Sequence, residues 1–127
     1  MKRNMTLPIC SLLSILLLTL HLTDDIVRGM EKAEPSNLIA VPLLAVLLYG
    51  TLALAERRSG HLIMLFVGIL AAGMPYIHMR GARYAEIAAS SGGFFFVWTL
   101  LALGGIGVVV VILSVSGLWR LRSGKSL

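Results

Sequence analysis

Four apolar stretches, 5–22, 38–55, 62–79 and 94–119, occupy most of the 127 residues, and nearly every formal charge lies between or outside them. Each stretch is 18 residues or longer. At about 1.5 Å rise per helical residue, that length crosses a hydrocarbon layer roughly 30 Å thick. The expected fold is therefore all-α and membrane-integral: four transmembrane helices in an antiparallel bundle. The connections between them, about 5 to 15 residues each, leave no space for a second folded unit, so 1–127 reads as a single domain.

Composition agrees. Hydrophobic residues make up 57% of the chain and charged residues 13%, more apolar surface than a soluble domain of this size can hide. The net charge of +5 raises the question of nucleic acid, but the basic residues sit at helix ends, where they act as topology signals and contacts for anionic lipid. Nucleic acid is excluded as a partner on that ground. Cys10 is the single cysteine; an internal disulfide is impossible, thiol–disulfide exchange by a cysteine pair is excluded, and Cys10 reads as a packing residue.

The first stretch follows Lys2 and Arg3 as in a signal peptide, but no pair of small residues marks a cleavage point, so an uncleaved span is expected. Placing both termini in the cytoplasm puts Lys2, Arg3, Arg57, Arg58, Arg120, Arg122 and Lys125 inside and Arg28, Lys32, Arg80 and Arg83 outside, seven against four. Trp119 beside Arg120, and Trp98 with its neighbouring phenylalanines, read as aromatic anchors at the two interfaces. The compact size and uncleaved first span favour a bacterial inner membrane.

Small residues mark faces for close helix packing: Gly68 and Ala72 in the third span, Gly104, Gly105 and Gly107 in the fourth. Pro75 is expected to kink the third span. The glycine-rich run 102–107 superficially resembles a phosphate loop, but it interrupts an apolar helix rather than following a strand, so helix packing is the better reading.

One group of residues has chemical character. His21, Asp24, Asp25 and Arg28 stand at offsets 0, 3, 4 and 7, one helix face if the first span runs past Leu22. A carboxylate four residues after a histidine orients the imidazole, and the pair can ligate a metal or relay a proton. The third span ends on the same side of the membrane with Tyr76, His78 and Arg80, which brings His78 to the depth of His21. Candidate metal ligands are thus His21, Asp25 and His78; candidate ligand-binding residues are His21, Asp24, Asp25, Arg28 and Arg80, the arginines holding an anionic group. Against this stands a simpler reading, which is preferred at this point: Thr23 as the N-cap of a separate interfacial helix with two aspartates in its first turn, and both histidines as interfacial residues. His61, on the opposite side of the bilayer, marks an interface.

No Asp, Glu, Lys or Arg occupies the middle third of any span, which disfavours proton-coupled transport. The glutamate expected in the first span of small multidrug antiporters is absent, as is the Arg/Asn-rich pattern of membrane glutathione transferases. The size and layout resemble those of the DoxX-like small bacterial membrane proteins, although no motif names a family. The leading expectation is a non-enzymatic accessory subunit or self-associating scaffold without a cofactor, held in the bilayer as a homo-oligomer or in a larger membrane complex. Its binding surface would comprise the glycine faces and the segment 80–91. The alternatives are a redox protein holding haem or a transition metal through His21 and His78, and a small transporter or channel.

Overall fold

In a computed structural model, residues 5–29 and 34–124 are described, the side chains of 36 and 37 excepted. Every regular element among them is helical: α1 (Thr6–Val27), a 3-10 turn (Pro35–Ile39), α2 (Ala40–Ala53), α3 (Arg58–Met79), the short α4 (Tyr84–Ala88) and α5 (Gly93–Arg122). Lys2, Arg3, Lys32 and Lys125, which enter the charge count, lie outside the described residues.

Three helices, α1, α3 and α5, are long and apolar enough to cross a membrane. The chain has the burial pattern of a membrane protein. Ile9, Leu13, Leu16 and Leu20 form an exposed stripe on α1, while Ser11, Ser14, His21 and Asp25 on the opposite face are buried. Thr51, His61, Thr99 and Ser114 are buried too, and Phe66, Ile69, Leu101 and Ile112 are exposed. Water would reject that outward face. Lipid, as apolar as leucine, accepts it, and helix association then relies on close packing and polar contacts inside.

Two expected boundaries are corrected. The second stretch, 38–55, yields only a 14-residue α-helix, about 21 Å long, because a 3-10 turn precedes Ala40 and the chain leaves the helix at Leu54. Pro42 sits in its first turn, where a missing N–H is tolerated. The first stretch is longer than expected: α1 runs through Thr23, whose hydroxyl donates back to the Thr19 carbonyl at 2.7 Å, so Thr23 is a mid-helix residue and not the N-cap of a separate helix.

The main contact is between α3 and α5, which run antiparallel. A Cβ on Gly68 would stand 3.0 Å from the Gly107 carbonyl, one on Gly107 would meet the backbone of Ala71 and Ala72, and one on Gly104 would press on the Pro75 ring. Pro75 lies inside an uninterrupted α3. Gly105, by contrast, faces open space. Helix α1 packs on α5 and α3, and α2 on α3 and α1. A Ser11–Thr51 hydroxyl bond of 2.8 Å ties α1 to α2. Apolar clusters close both ends: Leu7, Ala55, Met64 and Val110 at one, Ile87, Phe96 and Leu100 at the other. The segment 80–91 neither continues α3 nor presents Tyr84 and Ile87 outward. It folds as α4, with Ile87 buried and Tyr84 packed against the Phe96 cluster.

Candidate functional site

Because α1 continues to Val27, the offsets of its polar residues become real positions on a helix. They divide into two groups. Asp24 and Arg28 face the α4–α5 turn: Arg28 Nε donates to Asp24 Oδ2 at 2.7 Å, and its other nitrogens donate to the Gly92 carbonyl at 2.7 Å, Ser90 Oγ at 3.1 Å and the Ser91 carbonyl at 3.3 Å. The guanidinium is a strap between α1 and α5 with its donors committed to this chain. Arg80 is exposed and stacks over Tyr76, 4.1 Å from the ring centre. Neither arginine adjoins the histidines through a recorded bond.

His21 and Asp25 turn inward, where α3 brings His78. The two imidazoles meet edge to face with centres 4.8 Å apart. His78 Nε2 lies 3.2 Å from Asp25 Oδ2, and His21 Nε2 lies 3.9 Å from the same oxygen. One ligand atom from each residue fits within 4.8 Å of the other two. His21 is 2% and Asp25 5% exposed, so the group is shielded from solvent. Phe96 of α5 stands against both rings, at 5.1 and 6.1 Å.

Hydrogen bonding fixes which nitrogens carry protons. Thr99 Oγ1 donates to the Phe95 or Phe96 carbonyl at 2.9 or 3.1 Å, as a hydroxyl in a helix usually does. With that hydrogen committed, the 3.3 Å contact between Thr99 Oγ1 and His21 Nδ1 requires the ring to donate. His78 Nδ1 donates in the same way to the Met74 carbonyl at 3.0 Å. Both neutral imidazoles then direct an Nε2 lone pair toward a carboxylate. His21 Nε2 and Asp25 Oδ1 are buried without a hydrogen-bond partner. Three acceptors facing one another in a dry interior repel unless a cation lies among them.

A transition metal suits this donor set better than haem. Three ligand atoms about 2 Å from a tetrahedral metal stand roughly 3.3 Å apart, close to the 3.2 and 3.9 Å observed here. Axial imidazoles on opposite faces of a haem iron, with bonds of about 2 Å, place their ring centres roughly 6 Å apart across a porphyrin. Rings in contact at 4.8 Å leave no room for the macrocycle. Haem therefore does not fit between His21 and His78.

Thr99, Phe96 and the Met74 carbonyl were not foreseen. Thr99 had a signal: it is the only hydroxyl between Gly93 and Leu113, at the depth where an antiparallel fourth span passes His21. His61 is buried rather than interfacial, with its ring seated over Gly117 and its Nδ1 bonded to the Arg57 carbonyl at 3.1 Å. No protein-family profile, curated protein or solved structure matches the chain.

Proposed function

We propose that this chain is a small multi-pass membrane protein that binds one divalent transition metal ion through His21 Nε2, His78 Nε2 and the Asp25 carboxylate. The observation that carries this reading is the convergence of two Nε2 lone pairs and a carboxylate, with both Nδ1 protons held by the protein. That outer bonding is characteristic of metal-ligating histidines. A single proton between His78 and Asp25 would relieve one repulsion and leave His21 Nε2 unpartnered; a metal ion relieves all of them. Two imidazoles and a carboxylate favour zinc or a neighbouring first-row ion. Three protein ligands leave a fourth position open, the arrangement of sites that act on a substrate rather than of closed structural sites.

In this reading the chain is one domain of four spans forming an antiparallel bundle, with both termini in the cytoplasm of a bacterial cell and the protein in its inner membrane. The Lys/Arg distribution supports the orientation. The 3-10 turn abutting α2 supports a second span, since Pro35 to Ala53 together supply about 31 Å of rise if collinear.

The test is elemental analysis of protein purified from its own membrane, beside His21→Ala and His78→Ala. Wild type is expected to carry about one metal per chain, and both variants to lose it while Arg80→Ala keeps it. A wild type that stays metal-free after exposure to Zn²⁺ would falsify the proposal.

An accessory subunit or self-associating scaffold is the second reading. Gly105 favours it: Gly68, Gly104 and Gly107 are used within the chain, but Gly105 lies exposed with nothing within 4 Å, as a face for a second copy would. Loss of cross-linked dimer in Gly105→Leu supports it, and a wild type that is monomeric in mild detergent counts against it. No observation favours a transporter or channel.

A further inference from the structure

A cavity of about 230 Å³ opens beside the histidines, between α1, α2 and α3. Its walls are aliphatic: Leu18 and Leu22 of α1, Leu43 and Leu47 of α2, Leu70 and Met74 of α3. His21 and Asp25 supply the only ionisable side chains among its described lining residues. The lining positions on α1 fall at 18, 21, 22 and 25, those on α2 at 40, 43, 44 and 47. Both series have offsets 0, 3, 4 and 7, so each helix gives one complete face to the space.

We propose that this cavity seats the single alkyl chain of a membrane amphiphile, a fatty acid or fatty alcohol, whose oxygen head group takes the open position on the metal. The inference rests on the metal reading above and names the class of molecule that site receives. Size selects the chain. The volume lies below the roughly 300–1,000 Å³ typical of sites for drug-sized ligands, which disfavours a ring system and suits a linear tail.

Access and polarity agree. Leu43, on the lining face of α2, is 41% exposed, and its neighbours Val46 and Leu48 are exposed as well. The groove is therefore reached from the apolar surroundings of the helices, where an amphiphile's tail already resides, and entry needs no transfer through water. At the other extreme the two buried atoms without partners, His21 Nε2 and Asp25 Oδ1, belong to residues of the cavity wall. An all-aliphatic space would hold any lipid tail loosely. A polar group placed at one end of it fixes the register of the head group.

The experiment uses the full chain in detergent, loaded with Co²⁺ as a spectroscopic substitute, and titrated with decanohydroxamate and acetohydroxamate. The two probes share a metal-binding oxygen head and differ in the tail. In wild type the long probe is expected to shift the cobalt visible bands at a concentration at least about tenfold below the short one, from burial of its methylenes. Leu43→Trp, which fills the mouth from an exposed position, should abolish most of that advantage while cobalt content and the response to acetohydroxamate stay unchanged. Leu44→Phe provides a second obstruction should the tryptophan disturb folding. An equal advantage in wild type and both variants means that the micelle alone concentrates the long probe, and overturns the inference while leaving the metal in place. A wild type that takes up no cobalt overturns both.

Discussion

Thr99 holds the character of the site although it touches neither a carboxylate nor a second histidine. By giving its hydrogen to the α5 backbone and accepting from His21 Nδ1, it leaves His21 Nε2 as a buried lone pair. Thr99→Val preserves the shape and removes the acceptor. It is expected to weaken metal affinity by about ten- to a hundredfold, the usual cost of losing an orienting partner, without unfolding the protein; competition with a chromogenic zinc chelator reads the change. Asp24→Asn, by contrast, should leave the affinity unchanged, because Asp24 serves Arg28 and not the histidines. The sequence made part of this visible. His21 and Asp25 are legible as a pair from their four-residue spacing. Asp24 and Arg28 share that face in projection, yet the Gly92 carbonyl draws the guanidinium away to α5, and no spacing rule contains that contact. His78 lies 53 residues from Asp25 in the chain, and only the antiparallel order of the helices links the two.

At the level of elements, the long apolar runs identify helices well and their ends poorly. Apolar letters do not distinguish a 3-10 turn from an α-helix, which is why α2 begins at Ala40 and not at Leu38. The extension of α1 had the opposite cause. A Thr-Asp-Asp sequence normally opens a helix, but here Asp24 is neutralised by Arg28 and Asp25 faces His78. Both carboxylates are accommodated near a helix C-terminus, where their charge is otherwise unfavourable. The glycines of α5 make a sharper contrast. Gly107→Leu is expected to lower stability by about 1–3 kcal/mol or more through overpacking against Ala71 and Ala72, whereas Gly105→Leu should leave the unfolding transition where it is. Thermal unfolding in detergent, followed by circular dichroism, compares them directly. Equal losses would mean that α3 and α5 do not meet at Gly107.

For the whole molecule, the polar interior and apolar exterior explain why a chain so poor in charge keeps eight polar residues buried. In lipid they are the specific contacts between helices, and removing one leaves another without a partner. The same view sets the topology: with both termini cytoplasmic, the His21–His78 end of the molecule lies toward the outer face. Cysteines introduced singly at Arg83 and at Arg57 in a Cys10→Ser background are expected to react from outside the cell and from inside it respectively, when challenged with a membrane-impermeant maleimide. Labelling of both from one side would refute the four-span arrangement. The claim on which the rest depends is the ligand set, and zinc K-edge X-ray absorption on protein loaded with one equivalent of Zn²⁺ examines it directly. The account predicts two imidazole nitrogens and a carboxylate oxygen at about 2.0–2.2 Å, with the multiple-scattering pattern of histidine. A first shell of oxygens alone, without imidazole scattering, would contradict it.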